Sequence, residues 1–97
     1  MTHIRFSEAA RADVRVIYRE GVEMFGPSQG VTYADGLRRA ILSLGRFPRS
    51  APVRPGFRSS IRIMPYRSQI ILYEIDAHGV HVLRIRHAHE DWLGSHP

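Results

Sequence analysis

The order of hydrophobic periods along the chain limits its fold more than any other feature. Apolar and polar side chains alternate over residues 2–6, apolar side chains recur at helical spacing from residue 10 to 44, and strand-like segments follow up to residue 87. Alternation is typical of strands, and a period near 3.6 is typical of helices. The sequence therefore predicts an α+β fold with the order β-α-α-β-β-β.

Two apolar stripes predict the two helices. The first helix follows Ser7, whose hydroxyl suits an N-cap, and ends at Gly26-Pro27. The second begins near Ser28 and ends before Pro48. The stripes consist of Ala10, Val14, Ile17, Tyr18, Gly21 and Phe25, and of Tyr33, Leu37, Ala40, Ile41 and Leu44. We expect a helix hairpin that packs on one face of a mainly antiparallel sheet of about four strands.

Three strands are predicted after a loop at residues 45–57, over residues 57–63, 66–75 and 80–87. The middle strand is apolar on both faces, so we expect a cover on each face of the sheet. The helix hairpin would cover one face of the sheet. The tail at residues 88–97 or another chain would cover the other face. Alternation in the last strand puts Val80, Val82, Arg84 and Arg86 on one face, and His81, Leu83, Ile85 and His87 on the other.

Length and composition exclude several classes of protein. With 97 residues, 43% of them hydrophobic, the chain suits a single domain over residues 1–97. The absence of cysteine excludes disulfides, thiolate metal sites and thiol nucleophiles. The longest apolar run, residues 70–73, is far too short to span a membrane. We expect a cytoplasmic protein with no membrane association.

The basic residues are concentrated in one part of the chain. All 14 are arginine, and the formal net charge is +5. No Asp or Glu lies between Gly36 and Tyr73, while that segment contains Arg38, Arg39, Arg46, Arg49, Arg54, Arg58, Arg62 and Arg67. Such a segment should attract an anionic partner, either nucleic acid or an acidic protein surface. A solvated basic face with no partner is the alternative.

Four stretches resemble a known family when they are taken in order. They are Ser-x-x-Ala-x-x-Asp at residues 7–13, Pro-Gly-Phe-Arg-Ser at 55–59, Ser-Gln-Ile-Ile-Leu-Tyr-Glu-Ile at 68–75 and Val-Leu-Arg-Ile-Arg-His-Ala-His-Glu-Asp at 82–91. The set resembles the ParE branch of the RelE/ParE toxins of bacterial toxin–antitoxin pairs. Gln69 stands where that family often has His, and His89-Glu90 where a basic or Met-containing pair is usual.

The resemblance implies a RelE/ParE-like fold and a small toxin that a cognate ParD-like antitoxin neutralises. ParE-type toxins are associated with plasmid stabilisation and with binding DNA gyrase, which blocks replication, and they have no established catalytic chemistry. RelE-type toxins instead cleave mRNA on the ribosome. We expect a gyrase inhibitor that needs no cofactor and contacts nucleic acid only indirectly. A RelE-type nuclease and an inactive antitoxin-binding homologue stay open as alternatives.

If the chain is a nuclease, a defined set of side chains would carry out the cleavage. RNA cleavage needs a base, an acid and cations, and the candidates are Arg58, Arg62, Arg84, Arg86 and His87. Alternation, however, places His87 beside Leu83 and Ile85 and opposite the strand arginines, unless a bulge intervenes. We therefore expect His87 to be buried and hydrogen-bonded to backbone. The chain has no Lys and no Tyr after Tyr73, which leaves enzyme activity open but favours binding.

If the chain acts by binding, most of the same residues would form the contact surface. The target or the antitoxin would be contacted from rigid strands by Arg58, Arg62, Arg84 and Arg86. Trp92 would anchor the contact with one of these two partners. Alternatively, the arginines pair with Glu74, Asp76 or acids of the antitoxin, and Trp92 belongs to the core. We expect no metal site, because the histidines have no carboxylate partner at a recognised spacing.

Overall fold

The computed structural model of the chain describes residues 2–56 and 60–88. Strand β1 spans Ile4–Phe6, helix α1 Glu8–Phe25 and helix α2 Pro27–Leu42, and a short 3-10 helix covers Ser43–Gly45. Strands β2, β3 and β4 span Arg62–Tyr66, Gln69–Asp76 and Gly79–His87. The predicted order β-α-α-β-β-β and the α+β class are confirmed. No helix in the part of the chain that the structure describes is long and apolar enough to cross a membrane.

One sheet contains the four strands, in the spatial order β1-β4-β3-β2. β1 pairs in parallel with β4, whereas β3 pairs antiparallel with both β4 and β2. β3 and β4 are therefore the inner strands, and β1 and β2 form the edges. A tight hairpin turn joins β3 to β4, because Asp76 pairs with Gly79.

Ser7 begins α1 as the sequence predicts. Its Oγ accepts a hydrogen bond from the Ala10 amide at 2.9 Å and donates one to the Leu83 carbonyl at 2.7 Å. The first bond satisfies an amide that the first turn of a helix leaves without a partner. The second ties the start of α1 to β4.

The main core lies between the two helices and one face of the sheet. Its buried residues are Ala10, Leu37, Ile41, Leu44, Ala51, Ile71, Tyr73, Val80, Val82 and Ile85. A second cluster contains the buried Ile61, Ile70 and Leu72, against which Ile63, Leu83 and Ala88 pack. Ile71 and Tyr73 alternate with Ile70 and Leu72 along β3, so the expected burial on both faces of the middle strand is confirmed.

The predicted strand at residues 57–63 is wrong in its bounds. β2 begins at Arg62 and runs through Pro65 to Tyr66, while residues 57–59 lie outside the described part of the chain. Proline has no amide hydrogen to donate to a neighbouring strand. β2 is an edge strand, and apart from the isolated bridge of Arg62 with Val53 its outer side pairs with no other strand that the structure describes, so Pro65 is tolerated opposite Ile70.

The predicted faces of the last strand are also wrong, because β4 contains a bulge. Val82 pairs with Tyr73 and Arg84 with Leu72, which leaves Leu83 as one extra residue on β4. An extra residue reverses the alternation that follows it. Ile85 consequently joins Val80 and Val82 in the main core, while Leu83 packs in the second cluster.

Candidate functional site

Arg84, one of the predicted binding residues, is held by α1. Its Nε donates to Asp13 Oδ2 at 2.8 Å, and its Nη2 donates to Asp13 Oδ1 at 3.0 Å. The amide of Ile85 donates to the same Oδ2 at 2.9 Å. Arg84 thus pairs with an acid 71 residues earlier in the chain, whereas the sequence suggested Glu74, Asp76 or acids of the antitoxin as its partners. Sequence reasoning missed this role of Asp13, although the acid ends the Ser-x-x-Ala-x-x-Asp motif.

The described strands do not bring the predicted arginines together on one face. Arg62 pairs in register with Tyr73 on the helix-facing side, whereas Arg86 pairs with Ile70 of the second cluster. The Nη1 of Arg62 also donates to the carbonyl of Ala51 at 2.6 Å, so this side chain supports the loop before β2. The predictions for Arg58 and Trp92 fall outside the described residues.

His87 is exposed, and the prediction of a buried histidine is wrong. The bulge at Leu83 puts His87 on the helix-facing side with Ile85, but His87 is the last residue of β4. There it lines open grooves together with Ile17 and Glu20 of α1 and with Gln69. An imidazole at the mouth of a groove can reach solvent, which the sequence pattern did not indicate.

Glu74, Asp76 and His81 bring their ligand atoms within 4.8 Å of one another. The Asp76 carboxylate, however, forms an ion pair with Arg5 and accepts a hydrogen bond from the His78 amide at 2.8 Å. That amide bond, followed by the bond from Arg5, lowers the pKa of Asp76 below its usual value. Because the Arg5 guanidinium already neutralises this carboxylate, we interpret the group as an ion-pair cluster between β1, β3 and β4.

An apolar groove of about 410 Å³ lies between the two helices and β1. Phe6, Val14 and Tyr18 line one side of it, and Val31, Ile41 and Leu42 line the other. Tyr18, Val31 and Leu42 are exposed although they are large and apolar. Through Phe6 the groove borders β1, an edge strand of the sheet. Sequence reasoning assigned Tyr18 to the core-facing stripe and did not find this groove.

The sequence profile described as "ParE toxin of type II toxin-antitoxin system, parDE" matches residues 4–92 of the chain. The chain belongs to the ParE toxin family. It is a toxin of the ParE/RelE type from a type II toxin–antitoxin system. The resemblance found in the four ordered stretches is thereby confirmed. A search of curated protein sequences found no match.

Two solved structures share the fold of this ParE-family chain. A chain of the "chromosomal ParDE TA system from P. aeruginosa" superposes with a TM-score of 0.79 at 18% identity, over 90% of this chain and 96% of that one. A chain of the toxin–antitoxin complex RelBE2 from Mycobacterium tuberculosis gives a TM-score of 0.64 at 22% identity, over 89% and 96%. At these identities the similarity shows the fold alone.

Proposed function

We propose that this ParE-family toxin inhibits DNA gyrase by binding, blocks replication in the cytoplasm, and is neutralised by a cognate ParD-like antitoxin. The profile match over residues 4–92 is the observation that carries this proposal. Such a pair would stabilise a plasmid that encodes it.

Binding fits the arginines better than cleavage does. Arg84 is held in a bidentate pair with Asp13, and Arg62 supports the loop before β2. The chain also has no lysine and no tyrosine after Tyr73. Cations that stabilise a phosphorane must converge on one point. Arg62 and Arg86 lie in register with residues on opposite faces of the sheet, and of these two arginines Arg86 lines the groove of His87 whereas Arg62 does not. This separation supports a binding role over a catalytic one.

A RelE-type nuclease is the second candidate, and the exposed His87 favours it. This imidazole lines a groove with the carboxylate of Glu20, which is the pairing of groups that general acid–base catalysis uses. The substitution His87→Ala separates the two candidates. It would abolish cleavage of mRNA by a nuclease, but it would leave gyrase inhibition at the wild-type level if the toxin acts through other surfaces.

Induced expression in bacteria tests the proposal directly. We would express the chain with and without the protein encoded beside it, and measure growth, DNA breaks and total mRNA. Growth arrest with DNA breaks, intact mRNA and rescue by the neighbouring protein is the expected result. Arrest with rapid loss of mRNA would replace gyrase inhibition by the nuclease function. Growth without arrest would contradict both toxic functions and leave the inactive antitoxin-binding homologue.

The apolar groove supports the antitoxin as a partner. A segment of the antitoxin with apolar side chains would bury Tyr18, Val31 and Leu42, which otherwise contact water. The two solved structures described above come from toxin–antitoxin systems. The substitution Val31→Asp should therefore weaken rescue by the antitoxin, because it puts a charge in the groove. Val16→Asp is the matched control, since Val16 is exposed on α1 but does not line this groove.

A further inference from the structure

The loop of residues 46–54, called the arginine loop below, is attached to the core by its backbone. The fully buried Tyr73 donates its hydroxyl to the Pro48 carbonyl at 2.8 Å, and Arg62 donates to the Ala51 carbonyl at 2.6 Å. Ala51 is itself buried in the main core, and Val53 forms an isolated bridge with Arg62. These contacts fix the conformation of the loop, so a partner that binds it orders little additional chain.

The arginine loop exposes an aromatic ring and two arginines that are close to it in the sequence. Phe47 is 64% exposed and Val53 44%, and Arg46 and Arg49 are exposed as well. Aromatic and arginine side chains are the types that contribute most to the energy of protein interfaces.

The charge of the arginine loop specifies the chemistry of its partner. No Asp or Glu lies between Gly36 and Tyr73, so Arg46 and Arg49 have no acidic neighbour in their own segment of the sequence. Arg46 and Arg49 therefore present guanidinium groups that suit carboxylates or phosphates. Proteins that bind single-stranded nucleic acid without sequence preference offer several aromatic rings, on which successive bases stack. This loop contains one aromatic ring and the exposed aliphatic side chain of Val53, a composition that favours a protein partner.

We propose that the arginine loop is a second contact surface for the antitoxin, and that it binds a segment in which Asp or Glu side chains flank an apolar one. This inference rests on the proposed antitoxin partner. None of the loop residues lines the groove between the helices, so the antitoxin would contact the toxin at two separate places. Two linked contacts give a higher affinity than either gives alone, since the second forms at a high effective concentration.

The test is calorimetric titration of the 97-residue chain with the antitoxin encoded beside it, at low and high salt. Phe47→Ala should weaken binding about tenfold or more, as loss of an interface hot spot does. The double variant Arg46→Ala/Arg49→Ala should weaken binding and also reduce its salt dependence. Phe47→Trp should keep most of the affinity, because it retains an aromatic side chain.

Matched variants elsewhere on the surface are the controls. Phe25→Ala removes a ring that is 61% exposed, and Arg15→Ala/Arg19→Ala removes the same charge from α1. Both should change the affinity by less than about twofold, in line with energetically neutral surface positions. Thermal unfolding of each variant shows whether it is folded.

Four results would overturn the proposal. If the wild-type chain does not bind the antitoxin, the proposed partner fails and the loop contact fails with it. If the wild-type chain binds but loop and control variants lose equal affinity, the loop contact alone is wrong. If loop variants keep their affinity for the antitoxin but no longer arrest growth, the loop contacts the target instead. If they keep that affinity but lose binding to a fluorescent single-stranded dT20 oligonucleotide, it contacts nucleic acid.

Discussion

Asp13 shows how one side chain can determine the position of a helix on a sheet. Its carboxylate accepts two hydrogen bonds from Arg84 and one from the Ile85 amide, directly after the bulge in β4. Hydrogen bonds to a charged group that is shielded from water are stronger than neutral ones. Arg84, which the sequence suggested as a binding residue, therefore has a structural role that any binding role would have to share.

Removal of this carboxylate should destabilise the protein. Asp13→Ala is expected to lower the free energy of unfolding by about 2 kcal/mol, because it removes the acceptor of two hydrogen bonds from Arg84 and of one from the Ile85 amide. Urea unfolding followed by circular dichroism measures the change. Asp35→Ala, at an exposed aspartate of α2, should change it by less than about 0.5 kcal/mol. Equal losses in the two variants would contradict the structural role of Asp13.

Tyr73 should make stability sensitive to alkaline pH. Burial raises the pKa of its phenol above the usual 10.0. The unfolded tyrosine therefore ionises first, and stability that is present below pH 10 is lost as the pH rises through the folded-state pKa. Tyr73→Phe removes the hydrogen bond to Pro48 and should lower the free energy of unfolding by about 1 kcal/mol at pH 7. Above pH 10 the variant should lose less stability than the wild type does, because it has no phenol to ionise. Urea titrations at several pH values test both effects, and an unchanged alkaline slope would contradict the second.

At the scale of the elements, the two helices approach each other closely where glycines face. A Cβ atom built on Gly30 would lie 2.6 Å from Val22 Cγ2 and 2.8 Å from the Val22 backbone nitrogen. A Cβ on Gly21 would lie 3.4 Å from the Gly30 Cα, which is an ordinary contact. Only one of the two glycines is therefore required by the packing of α1 against α2.

Alanine substitutions at these two positions should have opposite effects. Gly30→Ala should lower the free energy of unfolding by about 1–3 kcal/mol, because the new methyl group forces the helices apart. Gly21→Ala should leave stability unchanged or raise it by up to about 1 kcal/mol through the higher helix propensity of alanine. Thermal unfolding of both variants measures the difference. Similar destabilisation in both would show that the helices cross elsewhere.

At the scale of the whole molecule, the sheet carries its main core on the helix-facing side and a smaller cluster on the other. The charged cluster of Arg5, Glu74, Asp76 and His81 links β1 to β3 across β4. β1 is a three-residue edge strand, and such strands depend on contacts beyond their few backbone bonds. The ion pair between Arg5 and Asp76 should therefore help to hold β1 in the sheet.

Acid should weaken this link. The pKa of Asp76 is lowered by the His78 amide and by Arg5, so the stability that it contributes is present above the unfolded-state value of 3.8 and is lost as the pH falls through the folded-state pKa. Asp76→Asn should have a lower free energy of unfolding than the wild type at pH 7. The difference between the two proteins should become smaller below pH 4. Urea unfolding from pH 7 to pH 2 tests this. A gap that stays constant would show that the carboxylate charge contributes nothing.

Local sequence patterns were enough to predict the elements and their order. The N-cap at Ser7, the end of α1 at Gly26 and the two-sided burial of β3 were all predicted, because each depends on residues close together in the chain. The bounds of β2 were wrong, since the position of Pro65 on an edge strand depends on how the strands are ordered. The bulge at Leu83 was missed for a similar reason, as it shows only in the pairing with β3.

The sequence by itself determined the fold class, the family and the cationic character of the chain, because these follow from periodicity, ordered motifs and composition. The tertiary structure alone decided which arginines are available for binding. It placed Asp13 on Arg84, opened the groove beside β1, exposed His87, and attached the arginine loop to Tyr73. Each of these features joins residues that are far apart in the chain, and the physical reason that they escape a sequence pattern is that only folding brings such residues into contact.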